Sequence, residues 1–188
     1  MFAYCGNNPI NGIDVTGHSW SDFWEGIRDY LREEKEKAES EKDGTSTYGF
    51  TGSVAFGVAF SFSIGITKDN KGNHGVVATF NAGGGMPSAG AGGFYSKTNA
   101  PTIYNQGGMG TTVGGSASGA VLSAGAEYNM LIDQEAGKVY HGRTYAVCAG
   151  LYPSPVEMHG EVGYTFVTGA NIYDVALWFV DLLIPKGD

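Results

Sequence analysis

The chain has 188 residues, 42% hydrophobic residues and a formal net charge of −8 at pH 7. This length fits one domain with an appendage, and the hydrophobic content excludes disorder as the overall state. The acidic balance argues against nucleic acid and disfavours anionic lipid, since both require a basic face. Glycine is the outlier at 31 residues, more than twice an average share of about 7%. It shows no three-residue period and therefore indicates bends and close packing in a β-sheet.

The two cysteines, Cys5 and Cys148, lie far apart and match no metal or redox spacing. We expect both to be unpaired thiols. No signal peptide is expected, and no apolar run reaches the length of a membrane-spanning helix.

The first 17 residues read MFAYCGNNPINGIDVTG and show turn pairs without periodicity. Phe2 to Asn11, followed by Asp14 to Gly17, resembles the end of the RHS (YD-repeat) core domain. That family closes its core with a signature of the type Y-x-Y-x-x-N-N-P-x-N-x-x-D-P-x-G. The sequence departs from this signature at Val15, where the family usually has proline. In some members, aspartates of this region take part in autoproteolysis that frees the C-terminal piece.

The resemblance implies that residues 1–17 are the tail of an RHS core and that a variable C-terminal domain follows. In polymorphic RHS proteins this domain is commonly a toxin or effector of a secreted or cell-surface protein. Its implied partners are the upstream RHS core and a cognate immunity protein.

Residues 18–44 are predicted to form an amphipathic helix that becomes highly charged. Apolar residues recur at helical spacing from Ser19 to Leu31, and the charged run Arg32 to Asp43 continues the helix until Gly44 stops it. The apolar face fits either packing on the sheet or anchoring at a membrane interface. Interfacial helices usually carry Lys and Arg on the polar face, so the acidic composition here favours packing on the sheet.

Residues 45–168 are predicted to form an antiparallel β domain, whose longest pattern runs from Phe50 to Thr67. There, bulky apolar residues alternate with small ones over the whole stretch, and this period of two indicates a single strand. Because such an apolar row must leave water in a soluble protein, we predict that Phe56, Phe60 and Phe62 lie in the core. The small face would then lie against solvent or under a helix.

The alternative is a membrane barrel, in which the same bulky row faces lipid. A membrane barrel should show aromatic girdles of tyrosine and tryptophan at its interfaces. The first strand has neither, and the three tryptophans fall on the predicted helices. The sequence therefore favours a soluble domain, with a membrane as the less favoured partner.

Further alternating segments follow, separated by turns and by breaks at Pro87, Pro101 and Pro153–Pro155. Thr98 to Gly108 lacks alternation and is predicted to be a loop that crosses one end of the sheet. The pattern gives seven or eight antiparallel strands, rich in small residues on both faces, which favours a closed barrel or a tightly coiled sandwich. The predicted fold is thus mainly β, glycine-rich and flanked by an N-terminal and a C-terminal helix.

Residues 169–188 are predicted to contain that C-terminal helix, capped by Asn171 and ended by Pro185. It is apolar on nearly all sides, which is typical of a buried helix or of one at an interface.

The strongest candidate site is Glu157, His159 and Glu161, which project from one face of a strand. A histidine between two carboxylates could act as an acid or base, or help to bind a metal. The other interpretation is a solvated outer face, with Val156, Met158 and Val162 facing inward. A second group, His141, Arg143 and Glu127, could contribute to binding from neighbouring strands.

No metal site or cofactor is predicted, and the glycine runs do not lead into a phosphate-binding helix. Three functions remain open. The first is a non-catalytic effector or binding module, the second a pore-forming or membrane-active toxin domain, and the third a hydrolase-like toxin that uses Glu157, His159 and Glu161.

Overall fold

The computed structural model describes residues 20–39, 42–119, 121–133 and 136–183. The RHS-like segment 1–17 and Cys5 lie outside these residues. A helix stands at each end of a mainly β chain, which confirms the predicted fold class. The elements are α1 (Trp20–Glu39), β1 (Thr45–Asp69), β2 (Asn73–Thr98), a 3-10 turn (Ile103–Gln106), β3 (Gly108–Ser118), β4 (Leu122–Asp133), β5 (Lys138–Leu151), β6 (Val156–Asn171) and α2 (Ile172–Leu183).

The strands form one closed antiparallel barrel. A ring of five strands runs β2–β5–β4–β3–β6 and returns to β2, and β1 pairs along almost the whole length of β2. The closure of this ring selects the barrel over the sandwich that the sequence left open. Closure also gives the five ring strands hydrogen-bonded neighbours on both sides.

The sequence predicted a break at Pro87, where β2 instead continues as one strand but shifts its register with β1. Ala55 pairs with Ser88 and Gly57 pairs with Gly85, so Met86 and Pro87 stand outside the register. A bulge tolerates proline, since no ladder hydrogen bond requires its missing N–H.

The first strand bends back on itself at Gly57, which has a φ of +80°. A β-carbon on Gly49 would lie 2.1 Å from the carbonyl oxygen of Ile64, and the same contact pattern marks directly paired glycines elsewhere in the wall. Thr47 Oγ1 donates to Thr67 Oγ1 at 3.0 Å. The two arms of β1 therefore lie side by side, and β2 follows them with two arms of its own. The six strands therefore contribute eight arms to the wall of the barrel, because β1 and β2 contribute two each. This explains why the sequence pattern predicted seven or eight strands.

The predicted inside–outside assignment is wrong. Phe56 is 86% exposed, Phe60 and Phe62 also face outward, and Ala59 on the small face is only 2% exposed. The small residues line the interior because the arms of β1 and their neighbours approach too closely for larger side chains. Small and polar residues thus line the interior of the barrel, and the bulky apolar residues form its outer surface.

The outer surface is apolar on all six strands. Its exposed large residues include Phe50, Val54, Phe56, Val58, Phe60, Ile64, Ile66, Val76, Phe80, Val113, Leu122, Tyr128, Val139, Tyr145, Val147, Leu151, Val156, Met158, Val162, Tyr164 and Phe166. Scattered apolar residues are normal on a protein surface, but a continuous apolar wall is not.

The two ends of the barrel differ in charge. We name the end formed by Thr45, the β1–β2 turn and the start of α2 the charged end, because Lys68, Lys97 and Arg143 are exposed near it. The opposite end, at Gly57, Met86–Pro87, Gly119, Val121 and the turn 152–155, is the apolar end. Its described residues include no Lys, Arg, Asp or Glu on the outer surface.

The loop after β2 closes the charged end, as the sequence predicts. Ile103 is fully buried, and its side chain lies where β-carbons on Gly75 and Gly169 would stand. The Ile103 N–H donates to Asp69 Oδ2 at 3.0 Å, and Gln106 Nε2 donates to Thr67 Oγ1 at 2.8 Å. This end of the interior is therefore plugged.

The two helices pack against each other. Arg28 lies 2.8 Å from Asp181 and Lys35 lies 2.6 Å from Asp174, and Asn171 Oδ1 caps α2 through the Tyr173 N–H. The expectation that α1 covers the sheet is thus replaced by a helix pair that connects to the charged end. No described helix is long and apolar enough to cross a membrane.

Replacing Gly49 with alanine should strongly destabilise the protein. The new β-carbon would lie 2.1 Å from the Ile64 carbonyl oxygen and force the two arms of β1 apart. We expect a loss of about 3 kcal/mol in the free energy of unfolding, measured by urea denaturation.

Gly52→Ala is the matched control, because its β-carbon would meet nothing nearer than 3.8 Å. Its effect should stay within about 0.5 kcal/mol. Equal stability of the two variants would contradict the close approach of the arms.

Candidate functional site in the barrel interior

The alternation of β6 turns Glu157, His159 and Glu161 toward the barrel interior. Glu161 is only 7% exposed, and Val156, Met158 and Val162 face outward instead. The interpretation of these three polar residues as a solvated outer face is therefore wrong. They line the interior, where each polar group needs a partner within the protein.

His159 is paired with Glu127 across an intervening strand. Its Nε2 lies 3.4 Å from Glu127 Oε1, although β3 runs between β6 and β4. Gly114 faces both residues, and a β-carbon there would lie 2.5 Å from Glu127 Cγ and 3.0 Å from His159 Nε2. The absent side chain of Gly114 opens the space through which imidazole and carboxylate meet.

The other two carboxylates are held by neutral hydroxyls. Ser61 Oγ donates to Glu161 Oε2 at 2.5 Å and itself accepts from Asn81 Nδ2 at 3.0 Å. Glu157 accepts from the hydroxyls of Ser88 and Ser116. These hydrogen bonds solvate the carboxylates internally, as water would at a surface.

The interior carries more negative than positive charge. Three carboxylates and one imidazole face the cavity, and no described Lys or Arg lines it. The hydrogen bond to Glu127 raises the pKa of His159, burial opposes this shift, and Glu161 and Glu157 add to the rise. Burial raises the pKa of the free Cys148 thiol, and Glu127 and Glu157 raise it further.

These groups surround a cavity of about 160 Å³, which also reaches Tyr152 and Thr144. Burial raises the pKa of the Tyr152 phenol. Among the described residues, no group of three or more His, Cys, Asp or Glu could hold a metal ion. The arrangement can store a proton on His159. The group that His159 contacts is the Glu127 carboxylate, whereas the histidine of a hydrolase would contact the hydroxyl that it activates.

The structure separates the second predicted group. Glu127 joins the interior cluster, whereas His141 and Arg143 point outward from β5. His141 Nδ1 lies 2.9 Å from the Tyr128 hydroxyl on the outer wall. Ser61, Ser88 and Cys148 also line the interior but were not predicted as site residues, because alternation shows neither which face lies inside nor which strand each residue opposes.

No protein-family profile matches the chain, and no curated protein matches it. Among solved structures, the chain is similar to the virulence-associated protein VapB from the intracellular pathogen Rhodococcus equi. The two share 14% sequence identity, the match covers 67% of this chain and 98% of VapB, and the TM-score is 0.33. A red fluorescent protein, lanRFPdam, shows 7% identity over 70% of this chain and 99% of that chain, with a TM-score of 0.25. A mutant GFP-like protein from Chiridius poppei shows 10% identity over 73% and 68%, also with a TM-score of 0.25. Scores this low carry no argument about function.

The His159–Glu127 pair should make stability depend on pH. Because the folded-state pKa of His159 is raised, its contribution is fully present below the unfolded value of about 6.5. The contribution is lost as pH rises through the folded pKa, which lies above that value. Urea unfolding of the wild type and His159→Gln across this window should show a difference that shrinks with pH, by up to about 1 kcal/mol.

Glu127→Gln supplies the control, since it removes the largest cause of the raised pKa and keeps the imidazole. The variant should shift the loss of stability to lower pH. Parallel profiles for the wild type and His159→Gln would show that the pair is not formed in solution.

Proposed function

We propose that the β domain is a membrane-inserting module whose outer wall contacts acyl chains. The observation that carries the proposal is the row of exposed apolar residues on every strand of a closed wall. A protein partner would cover one face of such a barrel. Only a medium that surrounds the barrel removes all of these faces from water at once.

The size of the effect supports this choice. Transfer of one large apolar side chain out of water is worth roughly 1.5–3 kcal/mol, and soluble monomers seldom expose apolar patches beyond about 300–600 Å². On β1 alone, Phe56 at the bend and Phe60 and Ile66 on the second arm are all more than half exposed. The summed free energy favours insertion over exposure to water.

The polar interior fits the same surroundings. The five ring strands leave no sheet edge to face lipid, and the two arms of β1 lie against each other. Barrels in membranes have apolar outer surfaces and polar interiors. Here the interior carboxylates are bonded to hydroxyls and to His159, so they need no contact with the surrounding medium.

An aromatic belt lies on the outer wall, assembled from several strands. Tyr48 pairs with Tyr95, and Tyr95 pairs with Tyr145. The Tyr48 and Tyr95 rings lie 4.8 Å apart. Tyrosines favour the membrane–water interface. The first strand taken alone could not predict this belt, because it contributes only Tyr48.

The two ends give the module an orientation. A barrel that spans a bilayer needs a polar rim at each end, but the described outer residues carry charge only near the charged end. The apolar end, with Phe56 at its tip, therefore enters the hydrocarbon, while the tyrosines and the helix pair stay near the surface. The module inserts from one side.

Phe56→Asp should abolish insertion without unfolding the barrel, because Phe56 is 86% exposed. A charged side chain in hydrocarbon costs about 2.5–3.5 kcal/mol, which predicts about a hundredfold weaker binding. Flotation with phosphatidylcholine vesicles measures this binding, and thermal unfolding verifies the fold.

Leu182→Asp is the matched control, since Leu182 is also exposed but lies on α2. It should bind vesicles like the wild type. If Phe56→Asp keeps vesicle binding and instead splits an oligomer into monomers, the wall contacts a second copy and the proposal is wrong. Because Ile103 plugs the charged end of the interior, vesicles should not release an entrapped dye through the barrel.

We further propose that the module is the effector domain of a secreted or cell-surface RHS-repeat protein. The resemblance of residues 1–17 to the end of an RHS core supports this setting. Residues 18–188 produced inside a bacterium should be toxic, and co-expression of the gene product encoded next downstream should relieve the toxicity. Growth curves with and without that product measure the effect, and unimpaired growth in both cases would refute the setting.

A further inference from the structure

We propose that Lys68, Lys97 and Arg143 form a site for the headgroups of anionic phospholipids. We call these three residues the basic row. The inference rests on the membrane insertion proposed above and adds the class of lipid that the module recognises.

The register of three strands builds the row. Lys97 on β2 stands directly opposite Arg143 on β5, and Ser46 on β1 stands opposite Lys97 on the other side. The register in which β1 folds back, with Thr47 against Thr67, places Ser46 beside Lys68. The exposed side chains of the row therefore follow one another around the outer wall near the charged end.

The row carries uncompensated positive charge. Like charges directly opposite each other on a sheet are destabilising, yet Lys97 and Arg143 occupy such a pair of positions. Neither they nor Lys68 forms an ion pair with a residue that the structure describes. A bound anion between them would turn this repulsion into attraction.

The acidic groups at or near the charged end have other partners: Asp43 pairs with Lys71 at 3.1 Å and Asp174 with Lys35 at 2.6 Å. Glu127, Glu157 and Glu161 line the interior. Asp69 and Asp133 accept hydrogen bonds from backbone N–H groups of the adjoining turns. The strands therefore carry local positive charge on the outer wall near this end, although the formal net charge of the chain is −8.

The row also lies at the depth where headgroups would be. Tyr48, Tyr95 and Tyr145 follow it two residues further toward the apolar end. With the tyrosine belt at the interface, the basic row reaches the phosphate level. An anionic bilayer matches this order of apolar wall, aromatic belt and positive charge. Repulsion from the acidic α1 is screened over about 8 Å at physiological salt.

The test compares vesicles of phosphatidylcholine alone with vesicles of equal parts phosphatidylcholine and phosphatidylglycerol. The wild type should bind the anionic vesicles more tightly, and added salt should reduce the preference. Each basic residue near an anionic surface contributes enough for about a fivefold change in affinity. The double variant Lys97→Gln/Arg143→Gln should therefore lose about 30-fold on anionic vesicles and nothing on neutral ones.

Arg32→Gln/Lys42→Gln removes the same two charges from exposed positions outside the barrel and should keep the preference. Equal losses in both double variants would mean that net charge acts instead of the row, and the inference would be wrong. It would also be wrong if an excess of inorganic phosphate at constant ionic strength abolished the preference, because the site would then take a free anion. Absence of binding to neutral vesicles, by contrast, refutes membrane insertion itself.

Discussion

The close approach of the two arms of β1 is the constraint on which the rest of the molecule depends. Gly49 stands against the Ile64 carbonyl group, and Thr47 bonds to Thr67, so the strand returns alongside itself within the wall. The barrel that contains these two adjacent arms is narrow. Its interior accepts glycine, alanine, serine and threonine, and alternation then forces the phenylalanines outward. The apolar outer surface is a geometric consequence of how the barrel closes.

The same constraint separates the charges. A narrow interior can hold carboxylates only where donors reach them, as Ser61 reaches Glu161, Ser88 reaches Glu157 and His159 reaches Glu127. Positive side chains are longer and stay on the outer wall, near the end where the chain is also most polar. The formal net charge averages over these regions and over the acidic α1. It therefore says little about the surface that a partner would meet.

Alternation predicted the β class, helical spacing predicted both helices, and small residues on both strand faces predicted the tight coiling, because each of these signals is local. It could not predict which face of β1 lies inside, since a period of two defines two faces and does not rank them. The assumption that bulky residues avoid water assigned Phe60 to the core. Similarly, alternation grouped Glu157, His159 and Glu161, but the contact with Glu127 requires the register of β3 and the space above Gly114. Register between distant strands leaves no local signal.

Insertion of such a barrel needs little rearrangement of its wall. The strands of the ring already have their backbone groups paired, so replacing water with hydrocarbon outside breaks no ladder hydrogen bond. The arms of β1 differ from the ring strands because a cleft lies between them, where Gly52 and Ser53 face Phe60 and Ser61. There, Thr51 Oγ1 donates to the Phe62 carbonyl oxygen at 3.3 Å, so a side-chain hydroxyl on one arm bonds to a backbone group on the other. The alternation that led to the wrong assignment of the core thus also places small and polar side chains beneath the apolar outer residues where the two arms of β1 meet.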